Sequence, residues 1–267
     1  MEIYLDNAAT TKPRKEVVEA MLRSLEKEYG NPSSLHRKGL EVEREIKKVR
    51  RIVAKALGCA EQEIIFTSSG TEANNLAIRG MIDAYKKNGN HIITSLIEHK
   101  SVLNTFNLME EQGFDVTYLE VDKKGIICTE QLKDAINDNT ILVSLMYVNN
   151  EIGSIQPIAE VGRIIKNINN RILFHVDGVQ AFGKIKFSLR DMEVDSFSIS
   201  GHKIHGPKGV GALYIKKGTR INPLLIGGNQ EMGLRSGTEN VPGIAGFGLA
   251  AVMAAENMAA NGATVKN

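Results

Sequence analysis

Two apolar runs decide the fold of this chain: ILVSLM at residues 141–146 and ILFHV at residues 172–176. Four similar runs extend the pattern along the sequence: IIFT at 64–67, HIIT at 91–94, VTYL at 116–119 and SFSI at 196–199. The segments between the runs have helical spacing, and strands that alternate with helices form parallel sheets covered on both faces. The sequence therefore predicts an α/β fold with a mainly parallel sheet covered by helices.

Two further helices are expected before the first run. Apolar residues recur at helical spacing over residues 17–25 and again over residues 40–57, where Gly58 follows as a stop signal. From Pro242 onward, small residues indicate a closely packed helix. No repeat or low-complexity linker interrupts residues 14–240, so the sequence predicts one large domain there.

Composition and charge exclude several classes of protein. A chain of 267 residues can bury a large core. A net charge of +2, with both signs interspersed, argues against a nucleic-acid partner. Cys59 and Cys128 have no zinc-type spacing, so no metal site is expected. No signal segment or membrane span of about 20 residues is visible, and we expect a cytoplasmic protein without a membrane partner.

Polar residues follow five of the predicted strands directly. They are TSSGTE at 67–72, EHK at 98–100, NNE at 149–151, DGVQ at 177–180 and SGHK at 200–203. In open α/β sheets, ligands bind outside the carboxyl ends of the strands. The five segments together predict a pocket that contains a cation, an acid, two imidazoles and amides.

Three of these segments suggest specific chemistry, each beside a simpler interpretation. The start of a helix at residues 68–71 could bind a phosphate or be an ordinary Ser/Thr cap. Asp177 could pair with a protonated heterocyclic nitrogen or cap a helix. Lys203 could form a Schiff base or be a surface lysine. Taken together, the three favour pyridoxal 5'-phosphate, which requires all of these groups.

A nucleotide-binding alternative is weaker. Residues 178–184 fit the pattern GxxxxGK after a strand. However, Ile185 stands where such a loop needs Ser or Thr for magnesium, and Phe182 is bulky for a loop that cradles phosphate. We interpret this match as accidental.

Eight ordered motifs resemble those of a known family, the NifS/IscS-type cysteine desulfurases, which are class-V aminotransferase-like, fold-type I pyridoxal-phosphate enzymes. The motifs are YLDNAATT at 4–11, YGNPSSLH at 29–36, SGTE at 69–72, EHK at 98–100, NNEIG at 149–153, HVD at 175–177, SGHK at 200–203 and LRSGT at 234–238. The resemblance implies the large domain of this fold, with a mainly parallel, seven-stranded sheet. It also implies conversion of L-cysteine to L-alanine, with sulfur delivered as a persulfide for iron–sulfur cluster assembly.

The same resemblance implies roles for individual residues. Lys203 would form the Schiff base, Asp177 would face the pyridinium nitrogen, and His99 would stack on the ring and assist proton transfer. The other expected cofactor contacts are Gly70, Thr71, Ser200 and His202 at the phosphate, and Asn150 and Gln180 at the phenolic oxygen. Thr238 would reach the phosphate of a partner subunit, which implies a homodimer. Iron–sulfur scaffold proteins or other sulfur acceptors would be further partners.

The resemblance also implies a domain division: residues 1–13 as part of a small domain, 14–250 as the cofactor-binding domain, and 251–267 as the start of a C-terminal small domain. In the family, the C-terminal region carries the nucleophilic cysteine. Neither cysteine of this chain matches that residue, so we expect the region that carries it to be missing here. The family usually has Ala where this chain has Gly178. A selenocysteine lyase, a small-amino-acid aminotransferase and a non-catalytic cofactor-binding partner remain alternatives.

Overall fold

The computed structural model describes residues 3–266, with side chains as far as residue 258. Its centre is a seven-stranded sheet in the order β1-β7-β6-β5-β4-β2-β3. The strands are β1 (Ile64–Thr67), β2 (His91–Ser95), β3 (Asp115–Leu119), β4 (Thr140–Met146), β5 (Leu173–Asp177), β6 (Ser196–Ser200) and β7 (Gly211–Ile215). Only β7 runs antiparallel to its neighbours, β1 and β6. The prediction of a mainly parallel, seven-stranded sheet is confirmed.

Helices cover both faces of the sheet. They are α1 (Lys15–Lys27), α2 (Arg37–Leu57), α3 (Gly70–Tyr85), α4 (Lys100–Glu111), α5 (Thr129–Ala135), α6 (Ile158–Ile168) and α7 (Val241–Lys266). One apolar core joins α1, α2, α6 and α7 to one face, and a second core joins α3 and α4 to the other. The result is the three-layer arrangement that the alternation of strands and helices predicts.

Local sequence signals explain where α2 begins and where it ends. The imidazole of His36 accepts the backbone N–H of Gly39 at the start of α2. Gly58 ends that helix with a φ of +72°, a left-handed conformation that glycine adopts without steric cost.

At Gly211, a Cβ would lie 2.7 Å from the carbonyl oxygen of Ile199 and 2.9 Å from the carbonyl carbon of Ser69. Glycine at this position therefore lets the ends of β1 and β6 approach each other across β7.

The C-terminal helix is continuous. α7 runs from Val241 to Lys266 and packs against α1 and α2, so the expected domain boundary between residues 250 and 251 lies inside a helix. Over Val241–Met258 its mean hydropathy is 1.2, which matches a membrane span in length and composition, and 44% of this window is buried. Interior helices of globular proteins have the same composition.

Candidate active site

The carboxyl ends of β2, β4, β5 and β6 meet at one edge of the sheet, because these strands are parallel. A cavity of about 240 Å³ opens there. Nine of the ten residues singled out in the sequence line it: Gly70, Thr71, His99, Asn150, Asp177, Gln180, Ser200, His202 and Lys203. Thr238 lies elsewhere, beside a cavity of about 70 Å³ that Ser68 and Glu239 also line.

One end of the cavity is built to hold an anion. Ser69 caps α3 by accepting the backbone N–H of Glu72 at 3.1 Å, which leaves the first helical N–H groups, those of Gly70 and Thr71, without an intrahelical acceptor. The hydroxyl of Ser200 is buried and has no partner among the described residues. A Cβ on Gly70 would lie 2.6 Å from a methyl group of Val179, so glycine keeps this wall open. These groups fit a phosphate at a helix N-terminus.

His202 completes this end of the cavity in its neutral form. Burial and the charges of Lys203, Lys208 and Lys184 lower the pKa of its imidazole to about 4. Its Nδ1 lies 3.1 Å from the hydroxyl of Thr10. A neutral imidazole can donate one N–H to an anion without adding another charge to the lysines around it.

Asp177 stands at the end of β5 and is 6% exposed. Burial raises the pKa of its carboxyl, while hydrogen bonds from Val179 and Asn74 and the charges of His99 and Lys203 act in the opposite direction. Oδ1 accepts the Val179 N–H at 3.0 Å, and Oδ2 accepts the Asn74 amide at 2.7 Å. Both oxygens are therefore acceptors, as expected for a carboxylate that pairs with a protonated ring nitrogen.

Lys203 follows β6 and reaches across to the N-terminal segment. Its Nζ donates to the backbone carbonyl of Ala9 at 2.8 Å and also to that of Ala8. Burial lowers the pKa of the ammonium group, and the charges of Asp177 and Asp6 oppose that shift. A lysine with a lowered pKa supplies the free amine that Schiff-base formation requires.

His99 caps α4 and is tied to residues that sequence reasoning missed. Its Nδ1 accepts the backbone N–H of Ser101 at 3.1 Å and lies 2.8 Å from the Ser101 hydroxyl. Asn74, buried on α3, contacts both Ser101 and Asp177. The one signal for Asn74 in the sequence was its position one helical turn before the apolar residues Ala77 and Ile78.

A second cavity of about 560 Å³ adjoins the first and shares Asn150, Gln180 and Lys203 with it. Gln180 donates to the carbonyl of Ala8 at 2.9 Å and accepts the ammonium group of Lys184 at 2.6 Å. Burial and the charge of Lys203 lower the pKa of Lys184 to about 8. The two cavities give the Lys203 side chain a connected space of a size suited to a small substrate.

The nucleotide-binding alternative finds no support in the geometry. In the GxxxxGK segment, the backbone N–H groups of Ala181 and Phe182 are already bonded to the carbonyl of Gly178, so they cannot cradle a phosphate. Among the described residues, no group of three His, Cys, Asp or Glu side chains could hold a metal ion. Cys59 is half-buried, and burial raises the pKa of its thiol to about 12.

The packing around position 178 explains why glycine is found there. A Cβ at this position would lie 1.9 Å from the ring of Phe197, which is fully buried on β6. Glycine is therefore required here because the aromatic ring occupies the space that an alanine methyl would need. The departure from the expected Ala reflects a neighbouring side chain on the adjacent strand.

Comparison with known proteins places this cavity in context. The family model described as Aminotransferase class-V matches residues 3–265. A protein named cysteine desulfurase IscS, from Methanosarcina thermophila, is 53% identical over 252 residues, which cover 94% of this chain and 62% of the relative. This chain spans 62–64% of the length of the first curated relatives that it matches.

Solved structures agree with the sequence relatives. A structure described as a NifS-like protein superposes with a TM-score of 0.96 at 47% identity, covering 97% of this chain and 71% of that one. A structure described as SspA in complex with cysteine gives a TM-score of 0.90 at 42% identity, covering 94% and 72% of the two chains. The chain is thus similar to these proteins over nearly all its length.

Proposed function

The chain belongs to the aminotransferase class-V family, and on that premise we propose that it binds pyridoxal 5'-phosphate and acts on L-cysteine as part of a cysteine desulfurase. The observation that carries the proposal is a single cavity lined by Lys203, Asp177, His99 and the free N-terminus of α3. The relatives named cysteine desulfurase, and the related structure solved with cysteine, support the choice of substrate.

The residues present fit the cofactor group by group. The N–H groups of Gly70 and Thr71, the unpaired hydroxyl of Ser200 and the neutral imidazole of His202 would hold the phosphate. Asp177 would hold the proton on the ring nitrogen. When bound, pyridoxal phosphate supplies an electron-accepting ring that makes the Cα–H bond of an attached amino acid acidic.

Lys203 would have two tasks in this site. Its amine would hold the cofactor covalently, and as a free amine it would take the proton from the substrate Cα. The lowered pKa of Lys203 favours both tasks, since each requires the unprotonated amine. His99, at the edge of the same cavity, is placed to support proton transfer.

The thiol that accepts sulfur must come from outside this cavity. Cys59 and Cys128 line neither of the two adjoining cavities, and the raised pKa of Cys59 disfavours its thiolate. We propose that this chain prepares the substrate, that it works as a cytoplasmic homodimer, and that an iron–sulfur scaffold or another acceptor protein takes up the sulfur.

Borohydride trapping tests the cofactor assignment. After incubation with pyridoxal phosphate and reduction, we expect one added cofactor mass, located by peptide mapping on Lys203. Lys203→Ala should lose both the label and the visible absorbance that survives dialysis. Lys217→Ala, which changes an exposed lysine that lines neither cavity, is the control and should retain both. A label on another lysine, or none on the wild type, would refute the assignment.

Product analysis tests the reaction class. With L-cysteine and a dithiol as sulfur acceptor, the cofactor-loaded protein should release alanine and sulfide in equal amounts. Formation of a keto acid from cysteine or alanine would instead identify an aminotransferase. Absence of any turnover, with the cofactor bound at Lys203, would leave a binding role and refute the desulfurase activity of this chain.

A further inference from the structure

Asn74 lies on α3 and is 1% exposed, yet its amide contacts three residues on two other elements of the fold, α4 and β5. Nδ2 lies 2.7 Å from Oδ2 of Asp177 and 2.9 Å from Oγ of Ser101. Oδ1 lies 3.1 Å from Nε2 of His175 on β5. Every donor and acceptor of this side chain except one lone pair is therefore used.

The contacts allow only one orientation of the amide. If the amide were reversed, its oxygen would face the carboxylate of Asp177 and two acceptors would meet in a buried site. In the observed orientation, His175 must donate through Nε2, so its Nδ1 accepts from the hydroxyl of Ser196 at 2.7 Å. Burial lowers the pKa of His175 to about 3, so this ring is neutral and carries the single proton that the chain of hydrogen bonds requires.

The same chain of hydrogen bonds continues to His99. The hydroxyl of Ser101 accepts from Asn74, so its one proton is available for Nδ1 of His99 at 2.8 Å. The backbone N–H of Ser101 points to the same nitrogen. Because Nδ1 accepts from both donors, a neutral His99 carries its proton on Nε2.

We propose that Asn74 is a positioning residue of the active site: its amide, oriented by His175, donates to Asp177 and holds the Ser101 hydroxyl as a second donor to Nδ1 of His99. The meaning of this arrangement for catalysis rests on the proposed function, in which both residues flank the cofactor. One buried side chain thus orients both Asp177 and His99, which lie 78 positions apart in the sequence.

The test replaces Asn74 by leucine, which has a similar shape but no donor or acceptor. Asn75→Leu is the matched control, because Asn75 is the next residue of α3 and its amide donates only to the carbonyl of Thr71. Nitrogen NMR of the histidine rings in cofactor-free protein reports which ring nitrogen carries the proton. Titration with pyridoxal phosphate, followed by visible absorbance, reports cofactor affinity.

In wild type and Asn75→Leu, we expect the Nδ1 atoms of His99 and His175 to show the shifts of unprotonated nitrogen. In Asn74→Leu, the Nδ1 shift of His99 should change, because the Ser101 hydroxyl is no longer held as a donor to that nitrogen and only the backbone N–H of Ser101 still is. The dissociation constant for pyridoxal phosphate should rise about tenfold or more, since Asp177 loses one of its two N–H donors.

A proton on Nδ1 of His99 in the wild type would overturn the inference, and so would an Asn74→Leu protein that matches the wild type in both measurements. If Asn74→Leu does not fold, Ser101→Ala cuts only the branch to His99. The His99 shifts should then move while cofactor affinity changes less than about threefold, and unchanged His99 shifts would overturn the inference. A wild type that binds no cofactor would refute the proposed function, and the nitrogen shifts alone would then decide on Asn74.

Discussion

Glu98 offers a sharp test of the electrostatics behind the site. Its carboxyl is buried, with Oε1 accepting the Ser95 hydroxyl at 2.6 Å and the Met146 N–H at 2.9 Å. Oε2 has no partner among the described residues. Burial raises the pKa of Glu98 to about 8, while the two hydrogen bonds oppose the shift and the charge of Asp177 adds to it. We therefore expect Glu98 to be protonated in the folded protein at neutral pH.

The perturbation is Glu98→Gln, which keeps the shape and removes the titration. The folded pKa lies above the unfolded value of 4.5, so the folded state binds more protons between pH 4.5 and about 8. The stability that Glu98 contributes is complete below pH 4.5 and is lost as pH rises through about 8. At about 1.4 kcal/mol per pH unit, this shift amounts to a loss of about 5 kcal/mol in the wild type relative to Glu98→Gln.

The assay is urea denaturation from about pH 5 to about pH 9, followed by circular dichroism because the chain has no tryptophan. The free energy of unfolding of Glu98→Gln minus that of the wild type should increase with pH and level off above about pH 8. Glu111→Gln, an exposed residue of α4, is the control and should follow the wild type. A difference between Glu98→Gln and wild type that does not change with pH would refute the reasoning.

Three further changes test other parts of the structure. Arg50→Met leaves the 2%-exposed carboxylate of Glu231 unpaired, so the free energy of unfolding in urea should fall by about 3–5 kcal/mol; a fall below about 1 kcal/mol would contradict this. Gly178→Ala drives a Cβ into the Phe197 ring and should cost about 1–3 kcal/mol in thermal unfolding; Phe197→Met in the same protein should restore stability, and an unaffected single variant would count against the clash. Lys184 has a folded pKa of about 8, below its ordinary 10.5, so the wild type should gain stability relative to Lys184→Met as pH rises between these values; parallel urea-denaturation profiles would contradict this.

The sheet could be predicted from the sequence because six of its seven strands are buried along their whole length, whereas β3 at the edge is only partly buried. Runs such as 141–146 and 172–176 are mostly apolar without alternation. Five of the six predicted runs lie wholly in strands, and the sixth begins one residue before β5. β7 was not located from the sequence. Its residues, GALYI, begin with glycine and alanine and follow a glycine-rich loop. The sequence therefore does not show where the loop ends and the strand begins.

Most of the cavity could also be predicted, since parallel strands deliver the residues after them to one edge. Asn74 was missed because its importance depends on contacts with Asp177 and Ser101, which are distant in sequence. The need for glycine at position 178 was missed because it, too, depends on a contact with another element of the fold. Only the packed structure shows that Phe197, on the neighbouring strand, fills the space beside it.

The two buried acids at this edge of the sheet divide their roles through their surroundings. Glu98 bonds to the N–H of Met146, and Met146 is paired with Asp177 in the ladder between β4 and β5, so the acids lie on adjacent positions of one edge. Ionising both of two neighbouring buried carboxyls is unfavourable, because the negative charge on one raises the pKa of the other. Asp177 receives N–H donors on both oxygens and the positive charge of Lys203, whereas one oxygen of Glu98 has no partner among the described residues. The hydrogen bonds to Asp177 and the charge of Lys203 therefore favour the proton on Glu98, and they leave on Asp177 the negative charge that its proposed role beside a protonated ring nitrogen requires.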